Sequence, residues 1–201
     1  MTPDLLRTAA GPAVVRTDPV KGSRFRAHVA PVADEASALA VVEELRAADR
    51  DATHHCWAFA LATGRQRASD DGEPRDTAGA PILRHLQGSG IRDVVVVVSR
   101  WYGGTKLGRG GLVRAYGDAA AAGLAAVSVV ERPIVVRLQL THPYELTGSV
   151  DAVLASHAAH ELTGVYGERA TRTVTVPRSV ADSFIEAITE ATAGQVRPNR
   201  V

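Results

Sequence analysis

Apolar and polar positions change period several times along the chain, and each change marks an expected element. Up to about Thr8 there is little pattern, and the start is expected to fray. Val14-Val15-Arg16 and Ser23 to Val32 read as two strands joined by a turn, because Asp18-Pro19 and Lys21-Gly22 supply turn geometry between extended runs. From Asp34 the period becomes helical. Asp34 is placed to cap the first turn, and Leu39, Val42 and Leu45 recur at helical spacing up to about Asp49. His55 to Leu61 alternates, carries Trp57 and Phe59, and reads as a third strand that ends near Gly64. Arg67 to Gly79 is a polar loop in which Asp70-Asp71-Gly72 forms a turn and Pro74 interrupts regular structure. Thr77 is the expected cap of a short helix through Ile82, Leu83 and Leu86 that stops at Gly88 to Gly90.

The five consecutive valines Val94 to Val98 predict a strand buried on both faces. A helix follows with Leu112, Ala115, Ala119, Ala122 and Ala126 on one face, small enough to lie close on a sheet. The first domain closes near Val129, and Glu131-Arg132-Pro133 reads as a linker. Beyond it the expected elements are strand (Ile134 to Thr141), helix (Tyr144 to His157), strands (Glu161 to Tyr166 and Arg172 to Pro177), helix (Val180 to Ala191) and a last edge near Gln195 to Arg197. That βαββαβ order is ferredoxin-like. The expected class is α+β, with domains over 1–130 and 131–201.

Composition narrows the function classes. With 201 residues, 45% hydrophobic and 22% charged, the chain can bury its cores unaided. Cys56 is the single cysteine, so no internal disulfide forms and a reducing, cytoplasmic setting is expected. No long apolar run marks a secretion signal, and Val94 to Val98 is far short of the roughly 20 residues of a membrane span. The net charge of +1 gives no whole-chain attraction to polyanions, so any such site must be local.

One segment supplies a local site. From Arg100 to Arg114 there are four cations (Arg100, Lys106, Arg109, Arg114), five glycines (Gly103, Gly104, Gly108, Gly110, Gly111) and no carboxylate. Glycines let backbone amides approach a ligand, and a helix starting near Gly110 would aim its positive end at the same place, which predicts an anion cradle. A Walker loop is disfavoured because no Gly-Lys-Ser/Thr follows the glycines, a dinucleotide loop because Gly108 to Gly111 lacks its spacing, and no cofactor is expected. Tight crossover packing explains the glycines equally well. Trp101 and Tyr102 beside uncompensated cations suit single-stranded RNA or ribosomal RNA. Lys21, Arg24 and Arg26 would extend that surface if the first hairpin lies beside the loop.

A second constellation is His54-His55-Cys56 with Asp70, Asp71 and Glu73. It admits a thiol nucleophile or a metal cluster, though no resident metal is expected. It also admits a bland reading in which Cys56 is a small buried residue, Asp70-Asp71-Gly72 a turn, and Glu73 or Asp76 a helix cap. In the second domain His142-Pro143-Tyr144 reads as a turn into a helix, and the expected role is binding or regulation.

Taken together, KGSRF (Lys21 to Phe25), DATHHCWAF (Asp51 to Phe59), SDDGEPRDTAGAPIL (Ser69 to Leu83) and VVVVVSRWYGGTKLGRGGLVRAY (Val94 to Tyr116) resemble the Impact/YigZ family in sequence and order. The resemblance covers most of residues 20 to 127 and, by length and element order, extends to the second domain of bacterial two-domain members. It implies a βββαβα-type first domain resembling domain IV of elongation factor G, with an added helix, and a ferredoxin-like second domain. It also implies a cytoplasmic protein linked to translation that acts through translation-control proteins; with the basic loop, the expected partners are RNA, the ribosome or such proteins, and no membrane. The competing function is a hydrolase or other enzyme built on His54, Cys56, Asp70, Asp71 and Glu73.

Overall fold

The structure is a computed structural model that describes residues 5–201. Leu6–Arg132 and Pro133–Val201 form two compact units. Of the patternless start, residues 1–4 lie outside the described residues. Leu5–Ala9 is a strand (β1), contrary to the expected fraying. It forms a two-stranded sheet with Val129–Pro133 (β7), the segment expected to be a linker. No local periodicity reveals such a pairing, because its partner is more than a hundred residues away.

The first unit is built on a five-stranded antiparallel sheet. Its strands are Ala13–Arg16 (β2), Arg24–Pro31 (β3), His54–Ala60 (β4), Gln66–Ser69 (β5) and Val94–Trp101 (β6), in the order β2-β3-β6-β4-β5. β5 replaces the start of the expected polar loop. As an edge strand with largely exposed residues, it shows no apolar alternation to read.

The central strand is β6, and the run of valines has the burial it predicted: Val94 to Val98 are all 0% exposed. Odd and even valines serve different cores, because strand residues alternate between faces. Val95 and Val97 join Trp57, Phe59, Ala38 and Val42 beneath the helix Glu35–Ala48 (α1). Val94, Val96 and Val98 join Cys56, Ala58, Ile82, Leu86, Leu112 and Tyr116 beneath Gly79–Ser89 (α2) and Arg109–Ala126 (α3). α3 lies close on the sheet because its contact face is small. A Cβ on Gly123 would stand 2.9 Å from Ala27 Cβ and 3.1 Å from Val29 Cγ2.

α1 is capped as its sequence indicates: Ser37 N–H donates to Asp34 Oδ1 (2.7 Å), and Ser37 Oγ accepts from Asp34 N–H (3.0 Å). α2 is capped differently. Neither Thr77, Glu73 nor Asp76 serves it; Thr77 Oγ1 instead donates to the Pro74 carbonyl (2.6 Å). The acceptor for the helix start is Asp70, whose Oδ1 takes N–H groups from Ala78 (2.9 Å) and Gly79 (2.8 Å) while Oδ2 takes Asp76 N–H (2.8 Å).

The second unit has the ferredoxin-like architecture. Val135–His142 (β8), Thr147–Ser156 (α4), His160–Tyr166 (β9), Ala170–Pro177 (β10), Ala181–Ala191 (α5) and Asn199–Arg200 (β11) give an antiparallel sheet in the order β11-β8-β10-β9. Alternation in β8 and β10 turns Leu138, Leu140, Val174 and Val176 onto Val150, Leu154, Phe184 and Ile188 of the two helices. Short 3-10 turns replace the first residues of both expected helices, and the last strand lies beyond the expected Gln195 to Arg197 edge.

Asp70 yields a test. Burial alone would raise its pKa, but the N–H groups of Gly79, Ala78, Asp76 and Thr77 outweigh burial and lower it. The stabilisation is therefore complete above the unfolded-state value of about 3.9 and is lost as the pH falls through the lower folded value. Asp70→Ala is expected to cost about 1–2 kcal/mol in denaturant melts at pH 7. The difference from wild type should shrink below about pH 4; a pH-independent difference would contradict the capping role.

Candidate functional site

Both constellations picked out in the sequence meet at one end of the five-stranded sheet. Strand register places His54 opposite Arg100, and Arg24 opposite Trp101. The loop from Ser69 to α2, the turn before β3 and the glycine-rich segment before α3 all gather around that end.

Their common point is Glu73. Its Oε1 pairs with Arg100 Nη1 (2.5 Å) and accepts from Tyr116 Oη (2.8 Å), with His54 Nε2 at 3.9 Å. The side chains of Arg100 and Glu73 are only 6% and 4% exposed, so the two charges neutralise one another away from water. Arg100 Nη2 also donates to Ser23 Oγ (3.1 Å), which accepts Gly103 N–H as well (3.3 Å). Rings of Tyr102 and Phe25 lie 5.3 and 5.7 Å from the guanidinium carbon. Arg100 is thus not a free phosphate contact as its sequence neighbourhood suggested; its counter-charge lies 27 residues upstream.

The remaining members of the acidic group are structural in their contacts. His54 Nδ1 donates to the Asp71 carbonyl (2.7 Å), Asp71 Oδ2 accepts His55 N–H (2.6 Å), and Asp71 Oδ1 pairs with Arg46 (2.8 Å). His55 is buried against Ser99 Oγ (3.0 Å), and burial lowers its pKa. Cys56 is fully buried and donates its S–H to the Asp70 carbonyl (3.0 Å). Burial pushes that thiol far above its usual range, with nearby Glu73, Asp71 and Asp70 adding to the shift, which is the opposite of nucleophile activation. Among the described residues, no group of three or more His, Cys, Asp or Glu side chains is arranged to hold a metal ion. The contacts match the bland reading of Cys56 and of the turn.

The basic segment divides by the function of each glycine. Gly103 packs against Gly22 so closely that a Cβ on it would lie 1.9 Å from the Gly22 carbonyl carbon, so this glycine is needed for the two backbones to touch. That contact places the turn that carries Lys21 beside the glycine loop, while Arg24 and Arg26, expected to extend the same surface, lie with Trp101 on the other face of the sheet. Gly104 and Gly108 have φ of +83° and +75° with open space around them. Gly110 has no positive φ, and a Cβ added there would meet no atom within 4 Å, so packing gives no reason for it. It lies in the first turn of α3, whose N-cap is Gly108 and whose leading N–H groups have no side-chain cap.

Lys21, Arg24, Tyr102, Lys106, Arg109 and Arg114 are exposed. Arg109 Nη2 donates to the Arg75 carbonyl (2.8 Å), tying the glycine loop to the Glu73 loop. Lys21 and Arg114 line one cleft with Leu107 and Gly111, and Asp118 is the carboxylate beside them. Trp101 is half-buried and faces the opposite side of the sheet, with Arg24 and Arg26 near its ring. There it lines a cavity together with Arg16, from the end of β2, and Asp49 and Asp51, from the segment that follows α1, a meeting that no local spacing reveals.

The buried pair and the buried thiol each yield a test. Glu73→Ala and Arg100→Ala should each cost about 3–5 kcal/mol, because each strands the other charge. Combined, they should cost less than their sum by about 1–3 kcal/mol in denaturant melts; additive losses would contradict the pairing. Cys56 should stay unreactive to a maleimide at pH 8 until the protein unfolds, and labelling at the rate of a free thiol would show the site to be open.

Residues 21–124 match the Impact N-terminal domain family, and residues 140–195 match DUF1949, a domain of unknown function. The chain is 33% identical to the IMPACT family member YvyE of Bacillus subtilis over 88% of this chain and 82% of that one. It is 32% identical to the IMPACT family member YigZ of Escherichia coli over 94% of each. Protein IMPACT of Bos taurus is 39% identical over 43% of this chain and 29% of its own length. A crystal structure of a hypothetical protein superposes with a TM-score of 0.75 at 30% identity, covering 98% of both chains. Two domain matches in the expected order, together with full-length bacterial relatives, establish that the chain belongs to the IMPACT family.

Proposed function

We propose that the protein acts in translation control by binding single-stranded or ribosomal RNA at the basic end of its first unit. Family membership, which extends to Protein IMPACT of eukaryotes, supports a translation-related regulatory role. The observation that carries the RNA reading is the gathering of Lys21, Lys106, Arg109 and Arg114 around an uncapped helix start, on a chain whose net charge is only +1. Cations and free N–H groups at a helix start favour phosphate oxygens. Tyr102, 46% exposed, offers a flat face to an unpaired base. Arg100 supports this surface from within and makes no contact with the ligand. Gly110 fits the same reading, since a bare backbone there lets a phosphate reach the first-turn amides.

Phosphate contacts release counterions, so affinity should fall as salt rises. Lys106→Ala with Arg109→Ala is expected to keep the melting temperature and to lower the slope of log affinity against log salt by roughly 1.4 for single-stranded RNA. The measurement is a filter-binding or anisotropy titration at several salt concentrations. Equal affinity and equal slope in the two proteins would remove the loop from the binding surface, and binding that resists salt altogether would point to a protein partner.

A further inference from the structure

We infer that the cavity on the α1 side of the sheet is a subsite for a single unpaired guanosine 5′-phosphate unit, its base stacked on Trp101 and its Watson–Crick edge held by Asp51. The inference deepens the RNA reading and rests on it.

The cavity exists because α1 is shorter than the sheet beneath it. α1 covers Val95 and Val97 and then ends at Asp49, its C-cap, leaving the same face of the sheet open where Trp101, Arg24 and Arg26 emerge. The register of β2 on β3 sets Arg16 opposite Arg26 on that edge. The space is about 440 Å³, within the range of small-ligand pockets.

Its lining groups divide by whether their charge is already satisfied. Arg26 is paired with Asp49. Arg16, Arg24 and Asp51 have no ion-pair partner among the described residues, yet Arg16 and Asp51 are near enough to Arg26 to act on its charge with opposite sign. The cavity therefore offers a flat aromatic wall, two unpaired cations and one unpaired carboxylate.

Those three requirements select a ligand class. An aromatic wall takes any base. Two arginines call for a phosphate, and a carboxylate rejects anionic or acceptor-rich edges. A carboxylate has two acceptor oxygens and no donor. Among the four bases only guanine presents two adjacent ring-edge donors, N1–H and the N2 amino group, that match both oxygens at once. Adenine and cytosine present a single amino group beside a ring acceptor, and uracil places one N–H between two carbonyls. The guanidinium carbons of Arg24 and Arg26 lie 5.5 and 5.2 Å from the Trp101 ring centroid; Arg26 is held by Asp49, while the exposed Arg24 is free to swing off the ring toward the phosphate as the base takes its place.

The same chemistry comes from a free nucleotide or from a guanosine within RNA, and the test separates them. The full chain is titrated with GMP, AMP, CMP and UMP, and with short single-stranded RNAs that carry or lack one guanosine, by calorimetry and tryptophan fluorescence. GMP should bind at least about tenfold more tightly than the other three. It should quench fluorescence in the wild type but not in Trp101→Phe, because Trp57 is buried against Phe59. Asp51→Asn, an exposed substitution, should leave the melting temperature unchanged and abolish the preference. If only guanosine-bearing RNA and not GMP shows these effects, the subsite serves RNA alone; if GMP competes with it, both sources are used, and each result supports the inference. No base preference, a preference that survives Asp51→Asn, or quenching that persists in Trp101→Phe overturns it. Lys106→Ala with Arg109→Ala should weaken RNA binding while leaving GMP binding intact. Loss of the guanosine preference with RNA binding retained therefore defeats the subsite alone, whereas RNA binding unaffected by the loop substitutions defeats the broader reading.

Discussion

The buried pair of Glu73 and Arg100 is the contact on which the functional end of the first unit depends. Arg100 stands at the end of the central strand, Glu73 in the loop before α2, Tyr116 in α3 and Ser23 in the first hairpin, and all four side chains close on one another. Neither charge tolerates isolation in such surroundings, since an unpaired buried ion carries a large desolvation cost. The pair therefore links four segments at the point where strand pairing and the core beneath α2 and α3 bring them near one another. Gly22 against Gly103, and Ser23 Oγ accepting the Gly103 N–H, then fix the hairpin beside the glycine loop. Only with that frame in place do the exposed cations form one surface.

The frame also separates two roles that look alike in sequence. Arg100 and Arg109 both sit among glycines and cations, but one is neutralised inside the protein and the other is exposed with its guanidinium on a backbone carbonyl. Likewise Asp70, Asp71 and Glu73 look like a catalytic group when read in line. In three dimensions Asp70 caps α2, Asp71 clamps Arg46 and the start of β4, and Glu73 holds Arg100. The buried Cys56 thiol donates to a carbonyl in the same turn. An acid-rich loop beside a thiol here organises a neighbouring basic surface.

How much of this was legible follows from the range of each interaction. The valine run marked a strand buried on both faces, which needs no knowledge of the partner, and the βαββαβ order of elements after residue 131 indicated the ferredoxin-like unit. The capping box of α1 was visible through Asp34 because it is local. By contrast, β1 pairs with β7 across almost the whole first unit, and Asp70 reaches a helix start eight residues away through a turn. Arg100 lies 27 residues from its carboxylate, and the Trp101 cavity draws Arg16 from β2 and Asp49 and Asp51 from the segment that follows α1. The four stretches that resemble the family were legible as motifs. The physical tie among all four, through Ser23, His54, Glu73 and Arg100, became visible only in the fold.

The RNA-contacting face proposed for the first unit consists of residues that this pair holds together. Hydrogen–deuterium exchange of the full chain with and without single-stranded RNA tests this most directly, because it reports on every backbone segment at once. Protection on RNA addition is expected in residues 21–25 and 101–112, at the hairpin and the start of α3. Protection confined to residues 135–200, or none at RNA concentrations that saturate binding, would contradict the account.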